Sequence, residues 1–269
     1  MPKFPKFGKS RNCMSSLIIN KLIHDFKDRE SFSREELFTF FRHFYPGLKD
    51  KKLSWRISEL KNKNIIRSLK RGIYTISEKP IYNPAISNHG VLLAKMIVEQ
   101  FSHIDYCISE TQWLNEFSQH QSSKRMIVIE VEKDFVESLF FNLRDTFPEF
   151  DFYINPDEKT FYYYVSESIK PVIIKKLISR SPIQKHKVQD VEIALPQIEK
   201  LLVDIFVDEK LYYPFQGYEL VYMYENALKN YAVNFSTLFS YSKRRGKESE
   251  IREFLSEHLG HLVNGIIDD

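Results

Sequence analysis

The sequence predicts an α/β (α+β) protein in two parts: an N-terminal winged helix-turn-helix over residues 15–80, and a larger mixed α/β domain over residues 90–269 that ends in helices. Three observations lead there. The chain has 269 residues, long for a single core, so two domains are expected. Its charge is divided: the first eighty residues carry 19 Lys and Arg against 8 Asp and Glu, and the remainder carries 20 against 28. Its apolar spacing is helical three times in succession, then changes to two short runs around a basic, Gly-bearing turn, and then alternates between strand-like and helical patterns.

Residues 1–14 open with MPKFPKFGKSR, a mixture of Pro, Gly and Lys without periodicity that reads as a flexible basic arm. Ser15 and Ser16 start a first helix, whose Leu17, Ile18, Leu22, Ile23 and Phe26 recur at helical spacing through Lys27. Ser33 followed by Glu36 is a capping box, and Leu37, Phe40, Phe41 and Phe44 carry a second helix to the stop at Pro46-Gly47. Asp50 is placed to cap a third, with Leu53, Ile57 and Leu60 inward. Its outer face is Lys51, Lys52, Ser54, Trp55, Ser58 and Lys61, flanked by Arg56 and Lys63. Ile65–Leu69 and Ile73–Ile76 read as strands around Lys70-Arg71-Gly72, where Gly supplies a backbone angle other residues adopt at a cost.

Pro80–His89, with two Pro and two Asn, reads as the linker, and a helix follows from about Val91 to Phe101. Beyond it, Ile104–Ile108 and Arg125–Val131 are strand-like, Glu110–Phe117 and Asp134–Thr146 helical. Phe150–Ile154 and Phe161–Val165 flank a polar Asn155–Lys159 turn and predict a hairpin, with further strands at Val172–Ile178 and Val188–Ala194. From Leu195 onward the pattern is mainly helical, over 195–209, 217–231, 234–242 and 247–259.

Composition bounds the chemistry. The 43% hydrophobic and 28% charged content, with 22 Phe and 15 Tyr, is that of a chain with a real core. No apolar run reaches the ~18–20 residues of a membrane span, and Met1–Lys9 has no apolar segment of the kind that opens a secretory signal, so a cytoplasmic protein is expected. Cys13 and Cys107 stand alone, without the spacing of a zinc site or disulfide framework, and are expected to be plain thiols. Asp157-Glu158-Lys159 supplies the D-x-K fragment of a metal-dependent nuclease, but it follows Asn-Pro and reads as a solvated turn. His258 and His261 lack a third ligand and the Glu of an HExxH helix, so they read as a surface pair. Glu130 and Glu132 share one face of a strand, suited to a metal, to an Arg-bearing partner or simply to an exposed edge. Ten aromatic residues between Tyr212 and Tyr241 are expected to be mostly core, with an excess compatible with a protein-binding face. No phosphate-cradling Gly loop and no Ser nucleophile elbow occurs, so no catalytic residue, metal or cofactor is assigned.

A basic module beside an acidic one points to a polyanion for the first, because clustered Lys and Arg release counterions from phosphates. In a winged helix the third helix enters the major groove and the hairpin tip reaches the flanking backbone, so Lys51, Lys52, Ser54, Trp55, Arg56, Ser58, Lys61 and Lys63, with Lys70 and Arg71 on the wing, are the expected contacts to double-stranded DNA.

Two stretches resemble a known family. Leu53-Ser54-Trp55-Arg56-Ile57-Ser58-Glu59-Leu60, with Ile65-Ile66 and Arg71-Gly72-Ile73-Tyr74, is similar to the helix-then-wing pattern of the AbiEi-like antitoxins of bacterial type IV toxin–antitoxin (abortive infection) systems. Leu195-Pro196-Gln197-Ile198-Glu199-Lys200-Leu201-Leu202-Val203-Asp204 is similar to the helix that marks their C-terminal domain. The resemblance implies an antitoxin that represses its own operon through the winged helix, bound at its own promoter, and counters a nucleotidyltransferase-like toxin through the C-terminal domain. The aromatic, strand-rich region 100–190 does not match that family position by position. Two alternatives stay open: a winged-helix transcription regulator with a ligand- or protein-sensing domain, and a metal-dependent nuclease centred on Asp157.

Overall fold

The computed structural model describes residues 14–63, 65–76 and 79–263. Residues 1–13 of the basic arm, with Cys13, lie outside the described residues. The chain divides into two compact units, Met1–Glu78 and Lys79–Asp269, in a mixed α/β architecture.

The first unit is built of α1 (Ser16–Phe26), β1 (Phe32–Ser33), α2 (Arg34–Phe44), α3 (Asp50–Asn62), β2 (Arg67–Lys70) and β3 (Ile73–Thr75). The capping box forms: Ser33 Oγ accepts from the Glu36 N–H, and the Glu36 carboxylate accepts from the Ser33 N–H at 2.7 Å. That satisfies two of the N–H groups a helix start leaves without partners. Helical spacing then turns Leu22 and Phe26 of α1, Leu37 and Phe41 of α2, and Leu53, Ile57 and Leu60 of α3 into one core with Phe32, Ile66 and Tyr74. Met14, expected in the arm, belongs to that core, and its N–H donates to Glu59. Asp50 does not cap α3: it is the first helical residue, and its carboxylate instead holds Arg34 at 2.8 Å. The strands pair antiparallel in the order β1-β3-β2. A bulge lies between Ser68 and Lys70, and the turn closes at Gly72 with φ +81°. The two-residue β1 is too short to show as a pattern in sequence.

In the second unit, α4 (Asn88–Gln100) precedes β4 (Tyr106–Glu110), a 3₁₀ turn at Thr111–Glu116, β5 (Ile127–Val131), α5 (Val136–Thr146) and β6 (Asp151–Ile154). The turn α6 (Glu158–Thr160) runs into a π-helical turn at Phe161–Val165, and β7 (Pro171–Lys176), β8 (Ile183–Val188) and β9 (Val191–Pro196) follow. Four helices complete it: α7 (Ile198–Val207), α8 (Tyr218–Asn230), α9 (Phe235–Arg244) and α10 (Glu248–Val263).

The hairpin expected over 150–165 does not exist. Asp157 Oδ1 accepts from the Thr160 N–H at 2.8 Å and starts a helical turn, which carries Phe161–Val165 out of strand conformation. β6 pairs instead with β7, in parallel, and the sheet order is β4-β5-β7-β6. The Val188–Ala194 segment is the outgoing half of a second hairpin, β8–β9, turned by Gln189 and Asp190 at φ +48° and +66°. Neither residue is Gly, so the turn carries no sequence signal.

The expected linker is also corrected. From Lys79 to Ser87 the chain is an extended strap bound to the second unit. Tyr82 is buried among Phe117 and Tyr231, Gln184 donates to the Tyr82 carbonyl at 3.1 Å, and the Trp113 indole N–H donates to the Ala85 carbonyl at 2.8 Å. Ser87 caps α4, which begins at Asn88 rather than near Val91.

The four-stranded sheet is covered on both sides. Ile127, Ile129 and Val131 of β5 and Val172 and Ile174 of β7 face the larger core with α4 and α5. The alternate residues, Cys107 on β4, Glu130 on β5 and Lys175 on β7, fall in register across three strands on the other face. There α7 packs, with α8 and α9 against it and α10 against those two. No described helix is long and apolar enough to cross a membrane.

Candidate nucleic-acid interface and a buried charge network

Leu53, Ile57 and Leu60 anchor α3 in the first core, and this fixes what the opposite face presents. Lys51, Lys52, Ser54, Ser58, Lys61 and Lys63 are exposed, and Trp55 is 48% exposed. Lys51, Lys52 and Lys61 have no ion-pair partner among the described residues, so their charge faces solvent. Ser54, Lys63 and Arg56 of the expected surface are engaged. Ser54 Oγ accepts from Arg34 at 2.9 Å and donates to the Asp50 carbonyl. Lys63 pairs with Glu59 at 2.7 Å. The Arg56 guanidinium stacks 3.8 Å from the Tyr45 ring centroid and also faces Phe41. Such stacking leaves the edges of the guanidinium able to donate but limits its reach. On the hairpin, Arg71 is exposed at the tip and Lys70 half-buried at the end of β2. The hairpin tip is tied to α2 by the Arg34 N–H donating to the Gly72 carbonyl at 2.7 Å. Arg34 thus links the start of α2, the first turn of α3 and the β2–β3 hairpin, a role its sequence position did not disclose. Its hydrogen bond to Asp50 raises its pKa further.

In the second unit, Glu130 is not on an exposed edge: β5 is an inner strand, and the carboxylate is buried against the Lys200 ammonium. Glu132 lies past the strand and accepts from the Asp105 N–H at 2.8 Å. Lys200, 1% exposed, also meets Asp204, one helical turn along α7. Arg245 bridges Asp204 at 2.8 Å and Asp208 at 2.7 Å, and Lys175 bridges Asp208 at 2.6 Å and Glu130 at 3.6 Å. The Tyr241 hydroxyl donates to Asp204 at 2.9 Å. Three cations and three carboxylates therefore form a closed, charge-balanced network between the sheet and α7. Burial opposes the charge on Lys200, yet Asp204 and Glu130 outweigh it and hold the ammonium protonated. The reciprocal attraction of Lys200, Lys175 and Arg245 overcomes burial at Asp204 and lowers its pKa. Burial raises the neighbouring Cys107 thiol far out of the reactive range.

This accounts for the 195–204 stretch: Lys200 and Asp204 are partners inside the fold, and Glu199, also buried, accepts from the Asn234 N–H at 2.7 Å to fix the start of α9. Glu130, Lys175 and Arg245 were not legible as their partners, because they come from three distant segments.

The other residues singled out take separate places. Asp157 caps α6 and Glu158 pairs with Lys210 at 2.9 Å. His258 lies edge-on to Phe254 while His261 sits 3.6 Å from Glu225, with Leu259 between them out of helical conformation. Among the described residues no group of three or more His, Cys, Asp or Glu could hold a metal ion. Of the C-terminal aromatics, Tyr212, Phe215, Tyr224, Phe235, Phe239 and Tyr241 are buried, whereas Tyr213, Tyr218 and Tyr222 are exposed.

A basic helix-and-hairpin unit and an α/β unit with a buried ionic lock define the class of protein. The chain belongs to a family of unknown function, DUF6577, whose model matches residues 52–261, from the first turn of α3 to the last of α10. No curated protein matches the chain.

Proposed function

We propose that this protein binds duplex DNA through its N-terminal unit, used as a winged helix, and acts as the antitoxin of a type IV toxin–antitoxin system. In this reading α3 enters the major groove, Lys51, Lys52 and Lys61 neutralise phosphates, Trp55 and Ser58 face the bases, and Arg71 reaches the backbone from the wing. The observation that carries it is the two-sidedness of α3: its apolar face is anchored in the core while three unpaired lysines and a half-exposed Trp project from the other, beside an exposed arginine at the hairpin tip. Arg56, stacked on Tyr45, serves this reading as a phosphate contact and support for the helix rather than as a base reader. The antitoxin role rests on the resemblance carried by residues 53–60, 65–74 and 195–204.

Binding of the full chain to its own upstream DNA and to random duplex, at two salt concentrations, tests the first part. The upstream DNA should be preferred, and Lys51→Ala with Lys52→Ala should reduce the slope of log K against log salt by about 2. An unchanged slope would remove α3 from the interface. The second part is tested by the neighbouring genes and by co-expression: a nucleotidyltransferase encoded alongside, whose toxicity this chain relieves, supports an antitoxin, and no such gene or unrelieved toxicity leaves a DNA-binding regulator.

A further inference from the structure

After β7 the second unit turns through Ile178–Pro182 into β8, and α9 lies beside this turn, with Arg244 Nη2 donating to the Arg180 carbonyl at 2.7 Å. Between them opens a groove of about 370 Å³, within the range of roughly 300–1,000 Å³ typical of small-ligand sites. Its polar walls include Arg180, Gln197, Ser236, Thr237, Ser240 and Arg244. No carboxylate lines it, although acidic residues outnumber basic ones in this part of the chain.

Its chemistry is that of an oxyanion site. Arg180 and Arg244 both line it. Arg244 is tied through Nη1 to Ser240 Oγ at 3.0 Å and through Nη2 to Arg180, while its Nε is buried without a hydrogen-bond partner. Each Nη group keeps a second N–H beyond these bonds, and those are the donors an incoming anion would meet. Arg180 has no ion-pair partner among the described residues, and its backbone is held at φ +55°, a conformation non-Gly residues rarely adopt. Ser236 and Thr237 sit in the first turn of α9, and Gln197 at the N-cap of α7, so two helices begin at the groove.

We propose that this groove binds a phosphate-bearing small molecule and holds it by its phosphate. Two arginines, several hydroxyls and helix starts match a tetrahedral anion with three or four oxygens better than a carboxylate with two. No aromatic side chain lines the groove, so a base would gain no stacking there. The site lies in the second unit and is independent of the DNA-binding reading.

Calorimetric titration of the full chain with pyrophosphate, AMP, adenosine and a 5′-phosphorylated trinucleotide tests this. Pyrophosphate and AMP should bind and adenosine should not. Arg180→Gln, which removes a side chain without ion-pair duties, should weaken phosphate binding at least about tenfold without lowering the melting temperature, and Arg244→Gln should weaken it likewise. AMP binding at least as tightly as the trinucleotide supports a small molecule, and the reverse order would overturn that in favour of a strand end. Absence of pyrophosphate binding, affinity unchanged in Arg180→Gln, or adenosine binding as well as AMP would each overturn the site.

Discussion

Lys200 shows how much one residue depends on its surroundings. Exposed ion pairs such as Lys185 with Glu192 contribute little, because water screens them and two long side chains must be ordered. Lys200 is different: without it, Glu130 and Asp204 stay buried with part of their compensation gone. Lys200→Met should therefore cost about 3 kcal/mol, the low end for a broken buried pair, since Lys175 and Arg245 remain. Denaturant unfolding checks it, and a loss no larger than that of Lys185→Ala would show the network to be dispensable. Tyr82 argues the opposite way. Its ring is buried between aromatic neighbours, but its hydroxyl has no hydrogen-bond partner among the described residues, and burial raises its pKa. Tyr82→Phe should stabilise the protein by about 1 kcal/mol in the same assay, because the desolvated hydroxyl is removed and the packing kept.

Among the elements, α4 is the one whose placement depends on a missing side chain. Gly90 lies in its first turn, where Ala would ordinarily favour the helix by about 1 kcal/mol. Here a Cβ would stand 2.6 Å from Ile86 and closer still to the Glu110 carboxylate, which accepts from the Ser87 N–H at 3.0 Å and its hydroxyl at 2.8 Å. Gly90→Ala should thus lower the melting temperature, and a rise would show that the strap can shift. Elements with strong local signals were legible: the capping box of α2, the stripes of α1 and α3, and the Gly72 turn. Those whose conformation is decided by partners were not. Phe161–Val165 has strand-like composition but continues the helical turn that Asp157 caps, and β6 finds its neighbour in β7 across the intervening turn.

At the scale of the whole molecule, the division into Met1–Glu78 and Lys79–Asp269 assigns the strap before α4 to the second unit. A fragment beginning at Lys79 should accordingly keep a cooperative transition, whereas one beginning at His89 loses Tyr82 and the Ser87 cap, and should melt lower. Equal melting temperatures for the two fragments would return the segment to the status of a linker. The charge asymmetry acts at this scale too. Lys51, Lys52 and Lys61 of the first unit stay on an exposed helix face, whereas several basic residues of the second unit are drawn inside: Lys175, Lys200 and Arg245 neutralise buried carboxylates.

Local order alone determined three features of this protein: a helical N-terminal stretch with a basic outer face on α3, a basic turn that needs Gly72, and a helical C-terminal third. Those rest on neighbours within a few residues, where capping, periodicity and backbone freedom act directly. Tertiary structure decided the parallel pairing of β6 with β7, the burial of Glu130, and the meeting of Arg180 with Arg244. Each of these joins residues from distant segments of the chain, and a charge read along a sequence does not reveal whether it will face water or an opposite charge until the sheet and helices have packed.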